Sequence, residues 1–444
     1  TVPAQIPYND LMNREAASTS TPVNRRGLLA ALRDTTFRSL RHRNYRLYFF
    51  GQAVSFTGSW MQSAALMWLL YDRTGDARWP SWILVAQVTP TILLGPWGGG
   101  LADRYPKRRL IFLTQSAFLV QAVILTVLVA FHIASPLLIL GLMAVNGLIQ
   151  AIDLPSRLAF VTDLVPKEDL INAVGLNSLL FNSARAIGPA LAALIFLLTD
   201  IAVPAGSDSV TPGAVACFAF NAISFVAVLV ALLGITVAGE DGANAKDRRS
   251  AWEGFRYLRE NRALGVLVLI TLVVCIFGWP LLTLLPSYTR MSLGLSEKTY
   301  SLLVSAMGGG ALVAALTTAT FGSQERRFLF LLIGAGMTAG GIFIVSQTPH
   351  PWIAALGCAV AGFGMILYLS TGQSTLQLAV PDEKRGRVLA LWAMTLSASG
   401  PVGHLLAGQA VWMLEAVRPV LVAMSAGVAE AGIWLATRKP VPRA

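Results

Sequence analysis

The chain has 444 residues, of which 55% are hydrophobic and only 13% charged. That leaves too little polar surface to cover several water-soluble domains, and apolar runs of about 19 residues or more recur along it, which excludes an ordinary soluble protein. The formal net charge of +11 would suit a nucleic-acid binder only if the bases gathered on one soluble face; they are scattered between apolar runs, which excludes that class and leaves anionic lipid as their partner.

Taken in chain order, residues 1–24 are rich in Ser, Thr, Pro and Asn and read as a disordered tail, and Arg25 to Arg46 as a basic amphipathic approach helix on the inner leaflet. Twelve spans follow, near 47–70, 82–102, 110–131, 137–160, 173–198, 213–235, 263–288, 299–321, 328–346, 352–372, 388–412 and 417–436. Each can cross a hydrocarbon core of about 30 Å as a helix, which satisfies its own backbone where water is absent. Strands of a membrane barrel would be about half as long. More than 40 mostly polar residues precede the first span, so a cleavable leader is not expected and that span would serve as its own insertion signal.

Charge orients the spans. With both termini cytoplasmic, 28 of the 34 lysines and arginines fall on the inner side, five (Arg73, Arg78, Arg290, Lys298 and Arg418) on the outer side, and Arg185 within a span. Such a bias predicts an even number of spans with both ends inside. Hydropathy collapses between the sixth and seventh spans, where Lys246, Arg248, Arg249, Arg256, Arg259 and Arg262 occur. The predicted organisation is a tail and approach helix (1–43), a six-helix half (44–236), a cytoplasmic linker (237–262), a second six-helix half (263–437) and a short cytoplasmic tail (438–444). An internal echo supports the division: Val165-Pro166 precedes Gly188-Pro189 as Val380-Pro381 precedes Gly400-Pro401, a trace that parallel repeats would leave.

Few ionisable residues lie inside spans: Asp153, Arg185, His404 and Glu430. A charge at the bilayer centre costs roughly 3 kcal/mol on insertion scales, so such groups face a partner or a water-filled cavity. Arg185 is a candidate for an anionic substrate group or for an ion pair with Asp153. Asp153 could exchange a proton as Arg neighbours approach and leave, or serve a permanent pair near the inner surface. His404 is a cavity-facing imidazole or a packing residue, and Glu430 reaches polar surroundings or a helix contact. Gln52, Trp60, Gln62, Asn146, Gln150, Asn177, Asn182, Trp279, Tyr368 and Gln373 are the candidates for an amphipathic substrate cavity, with ordinary helix packing the alternative for each. Cys217, Cys275 and Cys358 lie in spans without CxxC spacing, so neither a disulfide framework, a metal site nor a cofactor is expected. No His-Glu-x-x-His, Gly-x-Ser-x-Gly or phosphate loop occurs, and Gly334 to Ala339 spells a dinucleotide fingerprint only inside an apolar span, so no enzyme is expected.

Between the second and third spans, Gly99-Gly100-Leu101-Ala102-Asp103-Arg104-Tyr105-Pro106-Lys107-Arg108-Arg109 forms a charged turn that resembles the signature loop of the major facilitator superfamily of secondary transporters. Gln150 to Phe160, Asp163-Leu164-Val165-Pro166, Leu176-Asn177-Ser178, and Val380-Pro381 with Arg385-Gly386-Arg387-Val388 resemble its drug:proton antiporter branch, which includes macrolide effluxers and the enterobactin exporter. The chain departs at Pro106, where the loop usually has Gly, at Ala184, Ala192 and Ala193, where many antiporters carry glycine, and in lacking an acid between Asn44 and Tyr71. The resemblance implies an all-α membrane protein of the major facilitator fold, with twelve transmembrane helices in two halves. It also implies a cytoplasmic latch in which Asp103 faces the start of the eleventh helix near Arg387, Gly99 permits close approach, and Arg104, Arg108 or Arg109 pairs with Asp163 or Asp153. The alternative for the loop is topogenic: its four bases hold it inside. The expected activity is export of an amphipathic small-molecule substrate, a drug, siderophore or lipid-like metabolite, by a monomer in the bacterial inner membrane, with protons as candidate co-substrate and lipids as the other partners. A facilitator or importer of a small polar solute is the alternative, and a receptor or channel the alternative of another class.

Overall fold

The computed structural model describes residues 37–202, 210–236, 251–321 and 326–437. The expected tail 1–24, positions 25–36 of the approach helix, positions 237–250 of the linker and the tail 438–444 lie outside the described residues. Among the described residues every regular element is a helix. Six come first: α1 (Arg43–Thr74), α2 (Arg78–Arg104), α3 (Lys107–Ala130), α4 (Pro136–Leu164), α5 (Leu170–Ala202) and α6 (Val210–Leu233). After the short α7 (Ala251–Glu260) come α8 (Arg262–Gly278), α9 (Leu281–Met291), α10 (Glu297–Phe321), α11 (Arg327–Gln347), α12 (Pro351–Ala379), α13 (Asp382–Leu414) and α14 (Arg418–Ala436).

Among the described residues ten stretches are long and apolar enough to cross a membrane, counting α8 and α9 as one run from Arg262 to Met291. α1 and α2 are not among them, although they hold 32 and 27 residues. On α1 polar residues are taken up inside the protein: Gln52, Ser55 and Gln62 are buried, as is every residue from Ala64 to Tyr71. The approach helix expected to run to Arg46 is interrupted. A 3-10 turn covers Arg38–Arg41, His42 is extended, and α1 starts at Arg43. Asp169 holds this turn to the start of α5: its carboxylate contacts Arg38 and lies 2.7 Å from His42, and its carbonyl accepts from Ser39.

α1–α6 pack chiefly on one another and α8–α14 on one another, and two crossings repeat between the groups. α2 meets α4 so closely that a Cβ at Gly98 would lie 1.9 Å from the Ala151 carbonyl, and one at Gly147 2.1 Å from that of Gln87. α10 meets α12 likewise, with Gly310 against the Ala359 carbonyl at 1.9 Å and Gly362 against that of Met307 at 2.0 Å. Only glycine lets two backbones approach so far. The Val-Pro pairs also correspond: Pro166 precedes the Lys167–Asp169 turn that leads into α5, and Pro381 caps α13.

The two groups meet at the end of the molecule opposite the described termini. There Trp68 stacks on Tyr300 with centroids 5.6 Å apart, Lys298 on α10 bonds Asp200 on α5 at 2.5 Å, and the Arg78 guanidinium lies 4.0 Å from the Trp412 ring. Toward the end that carries the termini, several positions of α2 and α13 are open. Nothing lies within 4 Å of a Cβ built on Gly95, Gly99, Gly100 or Gly386, and Leu93 and Trp97 are 65% and 63% exposed.

Candidate functional site

A cavity of about 320 Å³ opens between the groups, walled mainly by α1–α6 and roofed by Trp279, Leu282 and His404. The volume is that of a small organic molecule. Its walls are mixed. Phe181 on α5 meets Phe56 and Trp60 on α1 edge-on, with centroids 5.7 and 5.8 Å apart, and Leu66, Met67, Met143 and Phe225 add apolar surface. Amides interrupt it in bonded sets: Asn221 donates to Gln62 at 2.8 Å, and Gln87 donates to Asn146 at 2.9 Å. Rigid aromatic faces beside exchangeable amide donors and acceptors accept amphipathic ligands of varied shape.

One ion pair sits in this wall. Asp153 is fully buried, and one helical turn later the Arg157 Nε lies 2.6 Å from its Oδ2. The N–H is not aimed along that line, so the contact is a charge pair rather than a hydrogen bond. Asp153 Oδ1 accepts from Thr114 Oγ1 at 2.7 Å and from Gln115 Nε2 at 3.0 Å. The guanidinium in turn donates to Gln52 Oε1 at 3.3 Å and lies 4.9 Å from the centroid of the Phe56 ring. This carboxylate has partners on both oxygens, and the arginine keeps one side toward the cavity.

Among the cavity candidates, Trp60, Gln62, Asn146, Gln150 and Trp279 line the space, and Gln52 stands behind it, bonded to Arg157. Asn177 lies on α5 outside the lining, and Asn182 bonds its own helix at Ser178. Tyr368 is a correction: it is buried inside the second group with its hydroxyl 3.1 Å from that of Thr271, because its position on α12 faces α8. Gln373 is exposed, on the opposite face from the buried Thr371, Gly372 and Thr375. Ser59, Gln87, Gln115, Phe118 and Phe181 line the cavity and were missed. For α3 a signal existed: Thr114, Gln115, Phe118, Gln121, Ala122 and Leu125 recur at helical spacing and are all buried, marking a polar stripe within an apolar span.

Among the ionisable residues, His404 lines the cavity and its Nδ1 lies 3.1 Å from Thr283 Oγ1. Glu430 is exposed on the outward face of α14 and contributes nothing to the cavity. The pair of Arg185 with Asp153 does not form, because Asp153 is taken by Arg157 on its own helix while Arg185 points into a different pocket. In the signature loop, Asp163 binds Lys107 at 2.8 Å rather than Arg104, Arg108 or Arg109. Arg108 instead caps α6, with Nε donating to the Leu232 carbonyl at 3.0 Å. Gly99 meets open space, Arg104 and Arg109 are exposed, and Asp103 is exposed with no bond among the described residues.

A protein-family model described as transmembrane secretion effector matches residues 34–442. The chain is similar to macrolide efflux protein A of Streptococcus pyogenes, 24% identical over 82% of this chain and 90% of that protein. It is also similar to the staphyloferrin A transporter of Staphylococcus aureus, 25% identical over 81% of this chain and 87% of that one. Among solved structures, a bacterial homologue of the human lysosomal transporter Spinster in an inward-facing, unoccupied conformation superposes with a TM-score of 0.65 at 15% identity, covering 88% and 96% of the two chains.

Proposed function

Because this chain belongs to the transmembrane secretion effectors of the major facilitator superfamily, a family of transporters and not of enzymes, we propose that it exports amphipathic organic molecules by alternating access. The observation that carries the reading is a cavity of mixed aromatic and amide lining between α1–α6 and α8–α14, closed at one end by contacts between the two groups. Relatives named for macrolide efflux and for a siderophore support a bulky substrate with both apolar and polar surface. α1 and α2 count as spans in this reading, giving twelve in two six-helix halves. The bias of basic residues puts both termini in the cytoplasm of a bacterial cell and makes the present state inward-open. Asp103 then forms the latch only when the cytoplasmic side closes.

Asp153 is the residue through which proton coupling would act, since its charge is held by an arginine that faces the substrate space. In inverted inner-membrane vesicles, a labelled macrolide should accumulate saturably when a pH gradient is imposed and more slowly when it is dissipated. Uptake that is saturable yet indifferent to the gradient would refute the coupling, and no saturable flux of a macrolide, siderophore or lysolipid probe would refute export.

A further inference from the structure

Arg185 is only 7% exposed and its Nε has no partner. It makes no hydrogen bond or ion pair among the described residues. It belongs to α5, yet it lines a pocket otherwise built wholly from the second group, among them Trp279, Leu281, Met307, Thr338, Gly362 and Met365. None of these side chains is charged. Of the acids within the spans, Asp153 is bound by Arg157 and Glu430 faces outward. The enclosure is tight, because a Cβ on Gly308 would lie 2.5 Å from the Arg185 carbonyl. A buried guanidinium without a counter-charge is costly, and burial among neutral walls is tolerated where an anion completes the site.

The pocket lies at the Trp279-Pro280 turn between α8 and α9, where Leu281 lines it and the N–H groups of Leu282, Thr283 and Leu284 are already bonded to the Trp279 and Pro280 carbonyls, so Arg185 is the group left to hold a ligand.

We propose that Arg185, in this pocket, forms a binding site for one compact monovalent anionic group, a carboxylate or a halide. The pocket measures about 20 Å³, the room of one water, and two flexible methionines in its wall, Met307 and Met365, can give way. Trp279 lines both this pocket and the central cavity, so the anion is either a free ion or the carboxylate end of a molecule held in that cavity. This second source rests on the export reading; the site itself is read by equilibrium binding, so the two can fail separately.

The test is thermal unfolding of the purified full chain titrated with sodium chloride, with sodium acetate, and with 4-phenylbutyrate against neutral 4-phenylbutanamide. The wild type should show a saturable rise in midpoint with chloride and acetate. The apparent affinity should fall roughly tenfold in Arg185→Lys, which keeps the charge and loses the fork, and saturation should vanish in Arg185→Gln. Should Arg185→Gln fail to fold, Gly278→Ala keeps the guanidinium: its Cβ would meet the Met365 thioether at 3.2 Å and push it into the pocket, weakening the anion effect. Phenylbutyrate displacing chloride, with the amide inert, assigns the anion to the transported molecule; chloride and acetate acting alone assign it to a free ion. An identical midpoint rise in wild type and all Arg185 variants, or no saturable rise in wild type, overturns the site.

Discussion

Replacing Asp153 by Asn keeps the shape of the side chain and its acceptor toward Thr114 and Gln115, but removes the charge 2.6 Å from Arg157 Nε. The two side chains are 1% and 14% exposed, so solvent screens little of the loss. Breaking one partner of a buried pair costs about 3–5 kcal/mol. The Phe56 ring and the Gln52 carbonyl still face the guanidinium, and a cation–π contact offsets about 0.5–2 kcal/mol. The expected destabilisation of Asp153→Asn is therefore about 1–4.5 kcal/mol, centred near about 2–3 kcal/mol. Arg157→Gln alone should cost a similar amount, and the double variant about as much as either single variant, giving a coupling energy of about 2–3 kcal/mol. Denaturant unfolding of the purified protein in one detergent, followed for wild type, both single variants and the double variant, measures the cycle. Single costs below about 0.5 kcal/mol, or strict additivity in the double variant, would refute the pair as the organiser of the cavity wall.

The outer contact between Lys298 and Asp200 is partly exposed, at 30% and 45%, so Asp200→Asn should change global stability by less than about 1 kcal/mol. The same increment acts directly on the balance between states, and spin-label distances across α5 and α10 should show up to about fivefold more outward-open form; an unchanged distribution would deny the contact a gating role. Neighbouring glycines should behave oppositely. Gly98→Ala places a Cβ 1.9 Å from a carbonyl and should destabilise by about 1–3 kcal/mol, whereas Gly99→Ala meets open space and should leave unfolding unchanged; equal effects in a thermal scan would contradict the α2–α4 crossing. Asp103→Asn should leave both stability and ligand binding intact, since Asp103 is exposed here, but should lower transport and raise cysteine accessibility of the inner cavity; normal values of both would remove it from the latch.

The membrane class, the helical elements and the bias of charge followed from the sequence by itself, because each rests on a local quantity. An apolar segment in lipid must satisfy its own backbone and so becomes a helix, and a basic loop stays on one side whatever its neighbours do. The signature loop was legible for the same reason, being contiguous; the pair of Asp153 with Arg157 one turn later was not foreseen, Asp153 being expected to face Arg185 or the arginines of the loop. Partner choice across helices was not legible. Arg185 and Asp153 are both rare charges within spans, and hydropathy cannot say that α5 turns the first toward α8–α12 while α4 gives the second its own arginine. Tyr368 and Gln373 lie only five positions apart on α12, yet one is fully buried and the other exposed, since helix rotation sorts them and rotation is decided by packing against α8, α10 and α11. That α3 turns its polar stripe toward the cavity, and that Asp103 has no partner among the described residues in this state, are decided only when two packed groups take one of their relative positions, a choice set by small free-energy differences among long-range contacts.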